Sequence, residues 1–194
     1  ACGETTDRID RLPQPELLKD KGFEILYLTD DVDEFALKMM MKYADKEFRN
    51  VSDKDLGLEA EADSEEIQKQ NEDNKELLRF MKDALGDKVS EVKLSERLKS
   101  HPVCISSDGG VSIEMEKVLN AMPGANGQKI QAKRVLELNA SHPVFARLQK
   151  LFAENQDAVK EYASLLYDQA LLIEGLPIED PVAFSNAVCK LMAE

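Results

Sequence analysis

Apolar and polar positions are most strongly organised toward the C-terminus. From Asp157 to Glu174, Val159, Tyr162, Leu166, Ala170 and Ile173 recur at helical spacing. Leu165 and Leu172, widened by Leu171, lay a second stripe beside the first. A helix apolar over that much of its circumference needs cover on several sides. The spacing of Phe184, Val188, Leu191 and Met192 predicts a second helix over Pro181–Met192. The turn between them is well specified. Gly175 stands where a left-handed residue closes a helix, Leu176 follows at the position that packs back onto it, and Pro177 stops its continuation. Asp180-Pro181 then offers a cap and a first-turn proline. The result is a hairpin with excess apolar surface. Either a second copy of the chain covers it, or both faces pack inside one subunit.

Upstream, the pattern alternates between helical and strand periods. Leu17 and Leu18 end a short helix that Gly22 closes. Phe23–Leu28 predicts a strand buried on both faces. Val32, Phe35, Ala36, Met39 and Met40 follow helical spacing, and Phe48 to Val51 suggests another strand. Asp63-Ser64-Glu65-Glu66 resembles a capping signal and places a helix start near Ser64. Leu77, Leu78, Met81 and Leu85 supply that segment's packing face before Gly86 ends it. Three strands are expected at Lys88–Leu94, Val103–Ser106 and Arg134–Leu138. A helix from Pro143 follows, with Val144, Leu148, Leu151 and Phe152 as its apolar side.

Between the second and third of these strands, Val111, Met115, Val118, Leu119 and Met122 fall on one helical face, with Glu114, Lys117 and Asn120 off it. Gly109-Gly110 precedes the helix and Pro123-Gly124-Ala125-Asn126-Gly127 follows it. Methionines between flexible flanks suit an adaptable binding surface. A core helix joined by loops is the plainer alternative.

Composition narrows the function classes. The 194 residues carry a net charge of −13, which argues against nucleic acid and anionic membranes as partners. Ten acidic residues against three basic ones between Asp53 and Glu76 suggest a solvated connector leading into a helix. No segment reads as a membrane span or signal peptide. The absence of an initiator Met suggests a processed product or an excised fragment. Cys2, Cys104 and Cys189 are too scattered for a metal site or a disulfide framework, which favours a reducing, cytoplasmic setting. His101 and His142, each before a proline, read as turn or helix-start residues. The Asp30, Asp31, Asp33, Glu34 cluster could hold a metal or support acid–base chemistry, making the chain a small acidic enzyme or metal-binding protein. Helix capping explains it more simply, because the glycine and distal glutamate of a calcium loop are missing. No phosphate loop, nucleophile elbow or Cys–His pair is present, so no catalytic residue, cofactor site or metal site is expected.

Several long blocks resemble one family. GETTDRID and KDKGFEILYLTDDVDEFAL are similar to the end of the middle domain of heat-shock protein 90 chaperones. KVSEVKLSERLKSHPVCISSD, VLELNASHPVF and LLYDQALLIEGLPIEDPVAFSNAVCKLM are similar to their C-terminal dimerisation domain, in the bacterial form. The resemblance implies an α+β fragment. Residues 1–62 would be the end of the middle domain, a small α/β subdomain with its connector. Residues 63–194 would be the dimerisation domain, with a three-stranded sheet and a terminal hairpin forming an intermolecular four-helix bundle. It implies a homodimer through Tyr162, Leu165, Leu166, Ala170, Ile173, Phe184, Val188 and Leu191. It also implies contact with unfolded or partly folded client proteins through Val111, Met115, Leu119 and Met122, with Glu34 and Phe35 nearby. Phe35 stands where some bacterial members carry Trp. ATP and Mg would bind only in the absent N-terminal domain of the parent chaperone. The acidic MEEVD tail is missing, so tetratricopeptide co-chaperone docking is not expected.

Overall fold

A three-stranded sheet with a different kind of cover on each face organises the molecule. The structure is a computed structural model that describes residues 1–56, 61–122 and 130–193, with only the backbone of 61–64. The sheet comprises β3 (Glu91–Leu94), β4 (Val103–Ser107) and β5 (Arg134–Leu138), in the order β3-β5-β4. β5 pairs parallel with β3 and antiparallel with β4. The three strands fall within a few residues of the expected positions because each presents β-branched and aliphatic residues at period two.

Helices cover one face. α4 (Glu61–Asp73) leads into α5 (Lys75–Leu85), and α7 (Pro143–Glu154) and α8 (Gln156–Ile173) complete the layer. Leu77, Leu78, Met81 and Leu85 pack there with Val92, Ile105, Leu136, Leu148, Val159 and Leu166 in one continuous core. Phe145 joins that core from α7, although its spacing did not single it out. His142 caps α7, accepting from the Val144 amide at 3.3 Å. The capping signal near Ser64 falls on residues whose side chains are not described, and the helix itself starts at Glu61.

The N-terminal residues cover the other face. α1 (Thr6–Asp10), α2 (Glu16–Asp20) and α3 (Asp33–Met40) are short. A second small core of Leu18, Val51 and Leu56 lies beneath them. Between it and the sheet sits a buried polar cluster. Glu137, on β5, accepts from Ser106 at 2.6 Å and Ser95 at 2.7 Å, and pairs with Arg97 at 3.2 Å. Arg97 also donates to the carbonyls of Val51, Asp53 and Lys54 at 2.7–2.8 Å, which holds the connector against the sheet.

Two expected strands do not form. Phe23–Leu28 makes only an isolated bridge, Leu28 with Cys2, and leaves Phe23 and Leu26 exposed. A strand needs neighbours for its ladder, and among the described residues only Ala1–Gly3 pair with this segment. Phe48–Val51 forms no strand either, although Phe48 N–H donates to Met41 O at 3.1 Å. In its place β1 (Lys42–Tyr43) and β2 (Lys46–Glu47) form a minimal hairpin turned at Ala44-Asp45, both at positive φ (46° and 66°). A two-residue turn of that kind matches strand twist but normally uses Asn-Gly, so its sequence signal was weak.

Candidate binding surfaces

The terminal hairpin is built as its turn residues predict. Leu176 N–H donates to Leu171 O at 2.8 Å and Gly175 N–H to Leu172 O at 3.1 Å, the paired bonds of a Schellman closure. Gly175 has φ +72°, which favours glycine, and the Arg8 guanidinium lies where a Cβ would project, so a side chain there would also displace Arg8. Asp180 then caps α9 (Pro181–Met192), accepting from the amides of Val182 at 3.0 Å and Ala183 at 2.8 Å.

The two hairpin helices differ in what they bury. α8 sends Val159, Ala163, Leu166, Tyr167, Ala170 and Leu171 into the core. α9 has no buried residue along its 12 positions. Phe184, Val188 and Leu191 are half-buried, and Val182 and Met192 are exposed. Of the α8 positions expected at a subunit contact, Leu166 and Ala170 are corrected to the subunit's own interior, at 3% and 0% exposure. Leu165, at 7% exposure, is likewise corrected to a buried position of the subunit. Tyr162 and Ile173 remain partly open, and Leu172, from the second stripe, is exposed. A groove of about 210 Å3 runs between α7, α8 and α9, lined by Tyr162, Leu165, Ala187 and Leu191 among others.

The second surface is α6 (Ile113–Ala121), and its polar residues make its inward contacts. Ile113 and Glu116 are its buried positions. Glu116 binds Arg134 at 2.5 Å and accepts from the Ala132 amide at 2.9 Å. Lys117 donates to Glu174 O at 2.6 Å, and Asn120 bonds twice to the Ile130 backbone. The apolar stripe of Val111, Met115 and Leu119 is therefore only half-covered, and Met122 is 50% exposed. The glycine-rich flank from Pro123 to Gly127 lies outside the described residues.

α3 abuts the start of α6. Lys38 Nζ donates to Gly110 O at 2.7 Å and lies 3.0 Å from the Met115 sulfur. Ser112, the α6 cap, donates to Glu34 at 2.7 Å, and Asn50 donates to the other Glu34 oxygen at 2.8 Å. The expectation that Glu34 faces a partner is thus corrected. It is 8% exposed and ties α3 to α6. Phe35 stays half-buried beside it, while Met39, Met40 and Met41 are exposed. Met39 and Met40 continue the helical spacing of Phe35 and Ala36. No described element lies over them.

The ionisable groups point to no catalytic constellation. Burial pushes the Cys2 thiol up to about 12 and holds the Cys104 thiol well above its ordinary value, which leaves both as poor nucleophiles. Burial also raises Glu174 to about 7, against the opposing pull of Gln14 and Lys117. Asp33 accepts from the Asp30 amide at 3.2 Å, a local loop contact. Among the described residues no group of His, Cys, Asp or Glu is placed to hold a metal, and no helix is long and apolar enough to cross a membrane.

Comparison of the sequence with known proteins gives matches along its whole length. The sequence model of the family described as Hsp90 protein matches residues 1–194. The chain is 58% identical to the chaperone protein HtpG of Clostridium acetobutylicum, over 99% of this chain and 30% of that protein. It is 56% identical to that of Clostridium perfringens and 52% identical to that of Bacillus subtilis, with the same coverage. The chain thus spans about 30% of the length of these curated relatives. On the strength of a match along its whole length, the chain belongs to the Hsp90 family.

Proposed function

We propose that this chain is the C-terminal coupling segment of a cytoplasmic ATP-driven chaperone of the HtpG type. It joins two protomers through α8 and α9 and presents an apolar surface to partly folded proteins. Residues 1–62 then serve as the end of the middle domain and residues 63–194 as the dimerisation domain. ATP binding and hydrolysis belong to the remainder of the parent protein, and this segment transmits motion without chemistry of its own.

The observation that carries the reading is α9. It is a well-capped helix with Val182, Phe184, Val188, Leu191 and Met192 along it and no residue buried. An isolated amphipathic helix of that length gains little from propensity alone and draws its stability from packing. Pairing α8 and α9 with the same elements of a second copy supplies that packing symmetrically and produces a four-helix bundle. The expected interface belongs to the obligate class, above about 2,000 Å2 in total. Tyr162, Ile173, Phe184, Val188 and Leu191 are its proposed members, with Leu172 added.

Light scattering after size exclusion tests it. The intact chain is expected at twice its monomer mass at micromolar concentration. Phe184→Glu with Leu191→Glu places charges in the interface and is expected to yield a folded monomer. A monomeric intact chain would sink the reading.

The client surface is proposed from Val111, Met115, Leu119 and Met122 on α6, with Phe35 on α3. Polar contacts hold α6 from beneath and leave this stripe half-open. Methionine side chains adapt to varied apolar partners without fixed geometry.

A further inference from the structure

We propose that Met39, Met40 and Met41 form a peroxide-sensitive modification site, whose conversion to sulfoxides switches off the apolar surface shared by α3 and α6. The inference rests on the reading of that surface as the client contact. Three consecutive methionines at the end of α3 are 84%, 52% and 71% exposed, respectively. Nothing described packs over them. Met41 also holds φ +60° and ψ −45°, a backbone state that glycine or asparagine adopts at lower cost.

The chemistry needs only a hydroperoxide. The thioether sulfur attacks one peroxide oxygen; an S–O bond forms and the O–O bond breaks. The departing hydroxide takes the proton left on the sulfoxide oxygen and leaves as water. Sulfur gives up two electrons and the peroxide is reduced by the same two. The product is polar and a strong hydrogen-bond acceptor, so it no longer favours an apolar contact. Because the cluster is solvated in the folded chain, the change leaves the fold in place.

The structure also sets an order of reactivity. Met115, on the same surface, has the Lys38 ammonium 3.0 Å from its sulfur. That proton donor engages the lone pair the peroxide must reach, which slows attack. Met81 is fully buried in the main core and is the slowest of the set. By exposure Met39, Met41 and, on α9, Met192 at 81% therefore oxidise first, Met40 and Met122 next, then Met115, and Met81 last. The surface loses its α3 part before its α6 part.

The test uses the intact chain, graded hydrogen peroxide, and reduced, carboxymethylated α-lactalbumin as a permanently unfolded probe. Peptide mass spectrometry reads each methionine, and fluorescence anisotropy reads binding. Met39 and Met41 are expected to oxidise about fivefold or more faster than Met115, with Met81 untouched. Affinity for the probe is expected to fall about tenfold once the cluster is oxidised. A Met39→Leu, Met40→Leu, Met41→Leu variant is expected to bind before and after the same dose. Equal rates for Met39 and Met115 would overturn the site. Undiminished binding by the oxidised protein, or equal loss in the leucine variant, would overturn the switch. Failure of the untreated protein to bind the probe would overturn the client-surface reading and the switch with it, while the oxidation order would still decide the modification site.

Discussion

The side-chain amide of Gln14 donates to the carboxylate of Glu174, joining residues 160 positions apart at a fully enclosed point. The same Gln14 nitrogen also donates to Ile105 O at 2.9 Å. Lys117 reaches the Glu174 carbonyl from α6. The N-terminal residues, the central sheet, α6 and the entrance to the terminal hairpin therefore meet around one carboxyl. Among the described residues, Gln14 Oε1 has no partner. A protonated Glu174 could donate to it and close a paired acid–amide contact.

That arrangement has a sign in pH. Burial raises the Glu174 pKa from 4.5 to about 7, so between those values the folded chain holds a proton that the unfolded chain has lost. The contribution of this group is fully present below about 4.5 and is lost as pH rises to 7. The limit is roughly 3 kcal/mol for a shift of this size. Glu174→Gln cannot ionise. Its stability relative to the parent chain is expected to increase from pH 5 to pH 8, measured by urea unfolding. A constant difference across that range would show that Glu174 titrates normally.

Arg97 and Glu137 form a buried pair with side-chain exposures of 6% and 1%. Replacing Arg97 with Met leaves Glu137 charged without its close partner and frees the carbonyls of Val51, Asp53 and Lys54. A loss of about 3–5 kcal/mol is expected. Removing both charges, with Glu137→Gln added, is expected to recover part of it. If the double variant is as unstable as the sum of the single ones, the pair is not coupled.

Leu166 and Leu172 share a helix and differ in burial, at 3% and 46% exposure. Leu166→Ala is expected to cost about 2–5 kcal/mol of subunit stability through the cavity it leaves. Leu172→Ala is expected to spare the monomer and weaken self-association, read by sedimentation at falling concentration. Equal effects on stability would mean that the outer face of α8 is not a contact.

Met115→Ser with Leu119→Ser alters the open face of α6 without touching Ile113, Glu116, Lys117 or Asn120, which hold it down. Binding of an unfolded probe is expected to fall about tenfold or more while the oligomeric mass is unchanged. Loss of the oligomer instead would identify this face as structural.

Much of the fold was legible along the chain. The sheet strands, the packing face of α5 and the hairpin closure at Gly175 were readable because period, caps and turn chemistry are local. The strand expected at Phe23–Leu28 was not, because its apolar run describes one chain segment and a ladder needs neighbours. Glu34 and Glu116 were misjudged or passed over for a related reason. A carboxylate on a helix reads as solvated until a particular donor, here Ser112 or Arg134, is brought to it from elsewhere in the chain.

By itself the sequence determined most of the longer helices, the closures at Gly86 and Gly175, and that the C-terminal hairpin carries more apolar surface than one neighbour can hide. Only the tertiary structure decided which side of each helix is spent inward. α8 commits Leu166 and Ala170 to its own core and α9 commits nothing. α6 rests largely on polar contacts and keeps its methionine stripe half-open. Periodicity records that a face is apolar, but packing against specific residues distant in sequence determines whether that face is covered.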